Sequence, residues 1–248
     1  MSLQLKPIYL LADSQLLFRS DRAGRSLLNS VRDTVESEFP KAAYIGASNG
    51  DDPIFYGVFE SAVESIGLHQ RRMIPSVLSE DDKKFLNHAD VILLAGGDVK
   101  RGLRVFSENG VRDIVIRRYF EGALLIGVSA GSVQMGLPGS TRGVFSSNRT
   151  SDYFELVNCI VGVHEEADGW ERLRQAVHLG TGGLRGIGIP SGGGAIYHAD
   201  NSFEPLRTSL SEFLIQGDEM IHNILSPNDD GKFTGQPESA DGSKRSYL

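Results

Sequence analysis

Ala123-Leu124-Leu125-Ile126-Gly127-Val128-Ser129-Ala130-Gly131-Ser132 is the stretch that decides the fold. An apolar run enters a Gly-x-Ser-x-Gly turn and small residues follow, so the segment reads as a strand, a tight turn and a helix start. Such a turn pushes the Ser129 hydroxyl out of the backbone. The small flanking residues keep the turn clear of neighbouring strands and of anything bound above it. The first N–H groups of the helix have no partner inside it, so the amide of Ala130 is available to negative charge near Ser129. Ser129 is therefore a candidate nucleophile. A merely close-packed βα turn is the competing reading. A phosphate cradle fits less well, because no Walker lysine follows and no G-x-G-x-x-G opens a helix.

Working outward, short apolar runs alternate with amphipathic stretches, the pattern of βαβ units around a mostly parallel, doubly wound sheet flanked by helices. Strands are expected at 7–12, 42–47, 68–74, 91–95, 123–128, 160–163 and 186–189, and helices at 22–39, 53–66, 80–88, 100–109, 111–121 and 169–178. In the second helix Phe55, Val58, Phe59, Ala62, Val63 and Ile66 share one face, which should lie on the sheet. Strand, glycine turn and strand over Ile187 to Tyr197 predict an antiparallel edge. Five strands run into polar or glycine-rich turns, at Asp13-Ser14-Gln15, Ser48-Asn49-Gly50-Asp51, Gly96-Gly97-Asp98, Ser129-Ala130-Gly131 and His164-Glu165-Glu166. In an open α/β sheet the carboxyl ends of the strands form the ligand crevice, so these turns predict one site. Within it, the amide of Gly97 is the expected second oxyanion donor beside that of Ala130.

With 248 residues the chain can close one core, and one catalytic domain over 1–225 is expected, followed by a flexible polar tail over 226–248. The 25 basic and 32 acidic residues give a net charge of −7, which argues against nucleic acid and anionic membranes as partners. No signal-peptide pattern or long apolar span is present, so the sequence reads as cytoplasmic. Cys159 is the only cysteine, which excludes an intrachain disulfide, a CxxC redox motif and a multi-thiolate metal site. No cofactor is expected.

The chain resembles the dipeptidase E and cyanophycinase family of serine peptidases, whose fold is similar to that of class I glutamine amidotransferases. The likeness spans roughly Ala43 to Tyr197. It rests on Val91-Ile92-Leu93-Leu94-Ala95-Gly96-Gly97-Asp98, Gly127-Val128-Ser129-Ala130-Gly131-Ser132, Ile160-Val161-Gly162-Val163-His164, Glu171-Arg172-Leu173 and Gly186-Ile187-Gly188-Ile189. The resemblance implies that the glycine turn supplies oxyanion contacts and that His164 is the general base for Ser129. Related amidotransferases carry cysteine at the elbow, so serine here points away from glutaminase chemistry. The family's triad carboxylate lies fifteen to twenty residues after the serine, where Val144 to Arg149 offers no acid. Asp152 and Glu155 are the only acids between Ser129 and His164, and either could orient the imidazole if the intervening loop is rearranged, with Glu155 the first candidate. Glu165 is a poorer candidate, because adjacent side chains at a strand end point apart.

Ser48, Asn49 and Asp98 at strand ends and Arg149 in a loop are the candidates for binding substrate. Glu165, Glu166 and Asp168 read as a solvated helix start, and Asp51-Asp52-Pro53 as a helix cap. His164 with these acids lacks HExxH spacing, so no metal site is expected. The resulting expectation is a serine hydrolase cleaving a small peptide or isopeptide amide, with a homodimer also compatible. The alternative is a non-catalytic binding module of the same fold with a degenerate triad.

Overall fold

Val91-Ile92-Leu93-Leu94 and Ile8-Tyr9-Leu10-Leu11 are apolar without alternation because both of their faces are covered, as in parallel sheets. The computed structural model describes residues 5–20, 24–139, 152–180 and 183–227. Its larger sheet contains β1 (Ile8–Leu11), β2 (Lys41–Ile45), β3 (Gln70–Ile74), β4 (Val91–Leu94) and β5 (Leu124–Val128), together with β8 (Gly194–Tyr197) and β9 (Phe203–Leu206). The spatial order is β3-β2-β4-β5-β1-β8-β9. The first five strands run parallel, whereas β8 lies antiparallel to β1 and β9 antiparallel to β8, so the expected antiparallel edge is present.

Alternate residues of each strand feed opposite cores. Tyr9, Leu11, Leu93, Leu124 and Ile126 pack with helices α1 (Leu27–Thr34) and α2 (Pro53–Glu64). Ile8, Leu10, Ile92, Leu94 and Leu125 pack on the other face with α3 (Glu80–Leu86), α4 (Val99–Asn109), α5 (Val111–Phe120) and α6 (Ala130–Met135). The helix expected over 22–39 is shorter. The Ser26 hydroxyl caps it by accepting from the N–H of Leu28, and the backbone is extended again at Val35. Asp52 caps α2 by accepting from the N–H of Ile54, with Pro53 just inside.

Instead of one sheet there are two. The second has the order β11-β10-β7-β6, built from β6 (Ile160–Val163), β7 (Gly186–Ile189), β10 (Leu210–Gln216) and β11 (Glu219–Leu225). Strands β6 and β7 are parallel, and β10 and β11 continue antiparallel. Val161, Ile187 and Ile189 join the core under the larger sheet, while α7 (Glu171–Leu179) covers the opposite face through Leu173 and Val177. This explains Gly186-Ile187-Gly188-Ile189. A Cβ on Gly188 would stand 2.7 Å from the Trp170 indole, and one on Gly186 would stand 2.6 Å from Val177. Glycine thus faces the helix, and isoleucine faces the core. The glycine turn after β7 does not close a hairpin with β8 but hands the chain to the larger sheet, where the Ala12 N–H donates to the Gly193 carbonyl at 2.9 Å.

No helix among the described residues is long and apolar enough to cross a membrane. Strand β11 ends at Leu225, and residues 228–248, nearly all of the expected tail, lie outside the described residues.

Candidate active site

Ser129 follows strand β5, and its φ of 49° and ψ of −110° lie where side chains are rarely accommodated. Holding a non-glycine residue there costs about 1–3 kcal/mol, and the surroundings must enforce it. The Ser129 N–H donates to the Leu11 carbonyl at 2.8 Å. The buried Ser132 hydroxyl lies 2.9 Å from the carbonyls of both Leu11 and Gly127, fastening α6 to the two central strands. A Cβ on Gly127 would meet the Ser132 nitrogen at 2.6 Å, and one on Gly131 would meet the Leu94 carbonyl oxygen at 2.1 Å. The two outer glycines of the motif therefore allow helix, turn and β4 to close on one another.

Gly96 packs against the nucleophile candidate, since a Cβ there would stand 3.3 Å from that of Ser129. Gly97 has φ 132°, and a Cβ on it would fall 2.3 Å from the Ser48 carbonyl oxygen, so only glycine fits. Among the described residues, neither the Gly97 nor the Ala130 N–H has an acceptor. Ala130 follows Ser129 in the chain, and Gly97 lines the same cavity as Ser129.

Not every expected binding residue faces this space. Ser48 is buried and accepts from the Gln134 amide at 3.0 Å, and Asp98 caps α4 by accepting from the Arg101 N–H at 2.7 Å. Asn49 does line the cavity, although its amide donates to the Tyr44 hydroxyl at 2.8 Å. Arg149 lies outside the described residues.

His164 follows β6 with φ 60°, and its ring lines the same cavity as Ser129. The two side chains are not hydrogen-bonded to each other. Instead Nε2 lies 2.8 Å from the Ala12 carbonyl oxygen and Nδ1 lies 3.1 Å from the Ser191 hydroxyl. A carbonyl only accepts, so Nε2 carries a proton in this arrangement. Leu11 and Ala12 are consecutive, so the turn after β1 holds the Ser129 amide with one carbonyl and the imidazole with the next.

Glu155 and Asp152 are exposed, and neither is hydrogen-bonded to His164. Glu155 lies between Phe154 and Leu156, whose N–H groups donate to carbonyls at the end of α6. The carboxylate connected to the imidazole is that of Glu166, reached through Ser191, whose N–H donates to Glu166 Oε1 at 3.0 Å. Burial acts to raise the Glu166 pKa. Hydrogen bonds from the Ser191 hydroxyl and from the backbone at Glu166 and Ser191, with the field of His164, outweigh burial and hold the carboxyl below its ordinary value. Glu165 instead pairs with Arg172 at 3.2 Å.

Asp13 belongs to one of the polar turns at strand ends, and its sequence context carries no further cue to a role in the site. It lines the cavity, and its Oδ2 accepts from the Gly192 N–H at 2.8 Å. Its Oδ1 is buried without a partner among the described residues. The cavity holds about 280 Å³ and is otherwise walled largely by Leu17, Tyr44, Phe55, Val58, Phe59 and Leu93. The α2 face expected to lie on the sheet is therefore divided. Phe59, Ala62 and Val63 are buried, while Phe55 and Val58 border the cavity.

Cys159 is fully buried, and burial pushes its thiol pKa up to about 12. It should resist iodoacetamide in the folded protein and react only on denaturation, which mass spectrometry of the treated chain would test. Alkylation under native conditions would contradict this placement.

The sequence profile of peptidase family S51 matches residues 8–204. No curated protein matches the chain. The crystal structure of a peptidase from an acI-B1 Actinobacterium is similar with a TM-score of 0.65 and 14% identity, over 92% of this chain and 97% of that one. The crystal structure of a protein assigned as a peptidase E from Listeria monocytogenes EGD-e gives a TM-score of 0.50 and 18% identity, over 90% and 100%. Identities this low speak to the fold. With the profile covering all seven strands of the larger sheet except the end of its edge strand β9, the chain belongs to peptidase family S51.

Proposed function

We propose that this peptidase works by a Ser-His nucleophilic mechanism on small peptide or isopeptide amides. Ser129 Oγ attacks the amide carbonyl while its proton passes to His164 Nε2, and the oxyanion is held by the amides of Gly97 and Ala130. His164 then protonates the departing amine as the C–N bond breaks. Water, deprotonated by the same imidazole, releases the acid and restores Ser129. For this cycle Nε2 leaves the Ala12 carbonyl, and the ring proton moves to Nδ1, where Ser191 accepts it. Ser191 and Glu166 are positioning residues in this reading. The carrying observation is the strained Ser129 turn, which shares one cavity with His164 and Gly97, while the N–H groups of Gly97 and Ala130 have no acceptor among the described residues. A cavity of this size suits a short substrate.

The hold of Ala12 on the imidazole favours the second reading, a binding module of the same fold. A fluorophosphonate probe separates the two. The wild-type protein should label with time and the His164→Ala variant at least about 10²-fold more slowly, whereas an unlabelled wild-type protein contradicts the mechanism.

Replacing Glu166 by Gln tests the positioning role. Turnover should fall on the order of 10- to 100-fold with KM little changed, while loss confined to KM would contradict it. The carboxyl titrates below its ordinary 4.5 when folded, so its stabilisation is complete above the unfolded value and disappears as pH falls through the folded one. The variant should therefore lose less unfolding free energy than wild type between about pH 5 and 3, measured by urea titration. Parallel losses would show that the folded carboxyl is not held in this way.

A further inference from the structure

We infer that the substrate of this site is an amide of an apolar amino acid bearing a free amino group, with Asp13 as the residue that selects the ammonium. The inference rests on the Ser129 reading and adds the substrate class.

Asp13 places a carboxylate in the wall of the Ser129 cavity, with one oxygen fixed by Gly192 and the other buried without a partner among the described residues. A buried carboxylate oxygen without a donor is unfavourable, and a ligand ammonium supplies both the hydrogen and the opposite charge. The carbonyl of Ala12, next in the chain and lining the same cavity, is a second acceptor. It now holds His164 Nε2, so an ammonium that takes this carbonyl also frees the imidazole to turn toward Ser129. Apart from Ser14 and Asn49, the remaining wall away from Ser129 and His164 is apolar and aromatic. The Tyr44 and Phe59 rings lie 5.4 Å apart, Leu17 and Leu93 stand beside them, and Phe55 and Val58 of α2 form the rim. No lysine or arginine is among the described lining residues, so an acidic side chain would find no cationic partner among them and would be repelled by Asp13. A leucyl or phenylalanyl side chain instead gains from leaving water.

The test compares Leu-Ala, Phe-Ala, Asp-Ala and N-acetyl-Leu-Ala as substrates of the full-length protein, with hydrolysis followed by chromatography. Leu-Ala and Phe-Ala should exceed Asp-Ala and the acetylated peptide by at least about tenfold in kcat/KM. Asp13→Asn should reduce the preference for Leu-Ala over its acetylated form to about twofold or less. Because that preference is a ratio measured on one preparation, partial misfolding does not alter it. A preference for Asp-Ala, an unchanged ratio in the variant, or no turnover of any dipeptide by protein that still labels with fluorophosphonate would overturn this inference alone. Loss of labelling in the wild-type protein would remove the Ser129 reading beneath it.

Discussion

Ser129→Ala is expected to lower kcat/KM for any amide the protein cleaves by about 10³-fold or more, with the fold intact. Ser129→Gly should be equally inactive, yet more stable than wild type by about 1 kcal/mol. The reason is the backbone. At φ 49° and ψ −110° a side chain is tolerated only because Leu11, Gly127 and Ser132 hold the turn, and glycine adopts that conformation without the same penalty. Gain of stability with loss of function is the signature of strain kept for chemistry. Urea titration of the two variants beside wild type checks the stability half, and amide turnover checks the other. A glycine variant less stable than the alanine one would show that the turn is not strained, and retained turnover in either would remove Ser129 from the reaction.

The second large effect is on folding. Gly131→Ala would place a methyl 2.1 Å from the Leu94 carbonyl oxygen, with the Leu94 carbonyl carbon at 2.7 Å. Both atoms belong to the backbone of β4 in the middle of the larger sheet, so neither can step aside without breaking sheet pairing. Destabilisation of about 3 kcal/mol or more is expected, a fall in Tm of roughly 6–12 °C for a chain of this size. Gly57→Ala is the control. It lies inside α2 with nothing within 4 Å of an added Cβ, and the higher helix propensity of alanine should stabilise by about 0.5–1 kcal/mol. Scanning calorimetry of both variants measures the difference. Equal melting temperatures would mean that the elbow does not close on β4 as described.

The parallel sheet and its elbow were legible because local chemistry fixes them. Strands buried on both faces must be apolar throughout, as Val91 to Leu94 are, and a turn that exposes a hydroxyl beneath packed backbone must have glycine on either side. The division into two sheets was not legible. Gly186-Ile187-Gly188-Ile189 followed by glycines reads alike for a hairpin and for a crossing between sheets. What decides is the Trp170 ring against Gly188 and the turn's hydrogen bonds to Ala12 and Asp13. Strands β9 to β11 carried a weaker signal because much of β11 is exposed and lacks a strict apolar alternation, although Gly217-Asp218 marks the turn before it.

The site divides in the same way. Ser129, Gly97 and Ala130 belong to local motifs and come together. The partners of His164 come from Ala12, 152 residues away, and Ser191, 27 residues away, and no local pattern encodes those meetings. Ser48 and Asp98 have the polarity and strand-end position of ligand residues. Their hydrogen bonds go instead to Gln134 and to the start of α4, because each closes a nearby backbone or side-chain polar group. Asp13 carried the same surface cue, a polar residue after a strand, and only its buried oxygen without a partner among the described residues distinguishes it.

The most direct test is the crystal structure of the protein after reaction with a small fluorophosphonate. The account predicts phosphorus bonded to Ser129 Oγ, its oxygen about 3 Å from the backbone nitrogens of both Gly97 and Ala130, and the His164 ring swung from Ala12 toward the adduct. An adduct on another residue, or one on Ser129 whose oxygen touches neither nitrogen while His164 stays on Ala12, would contradict it.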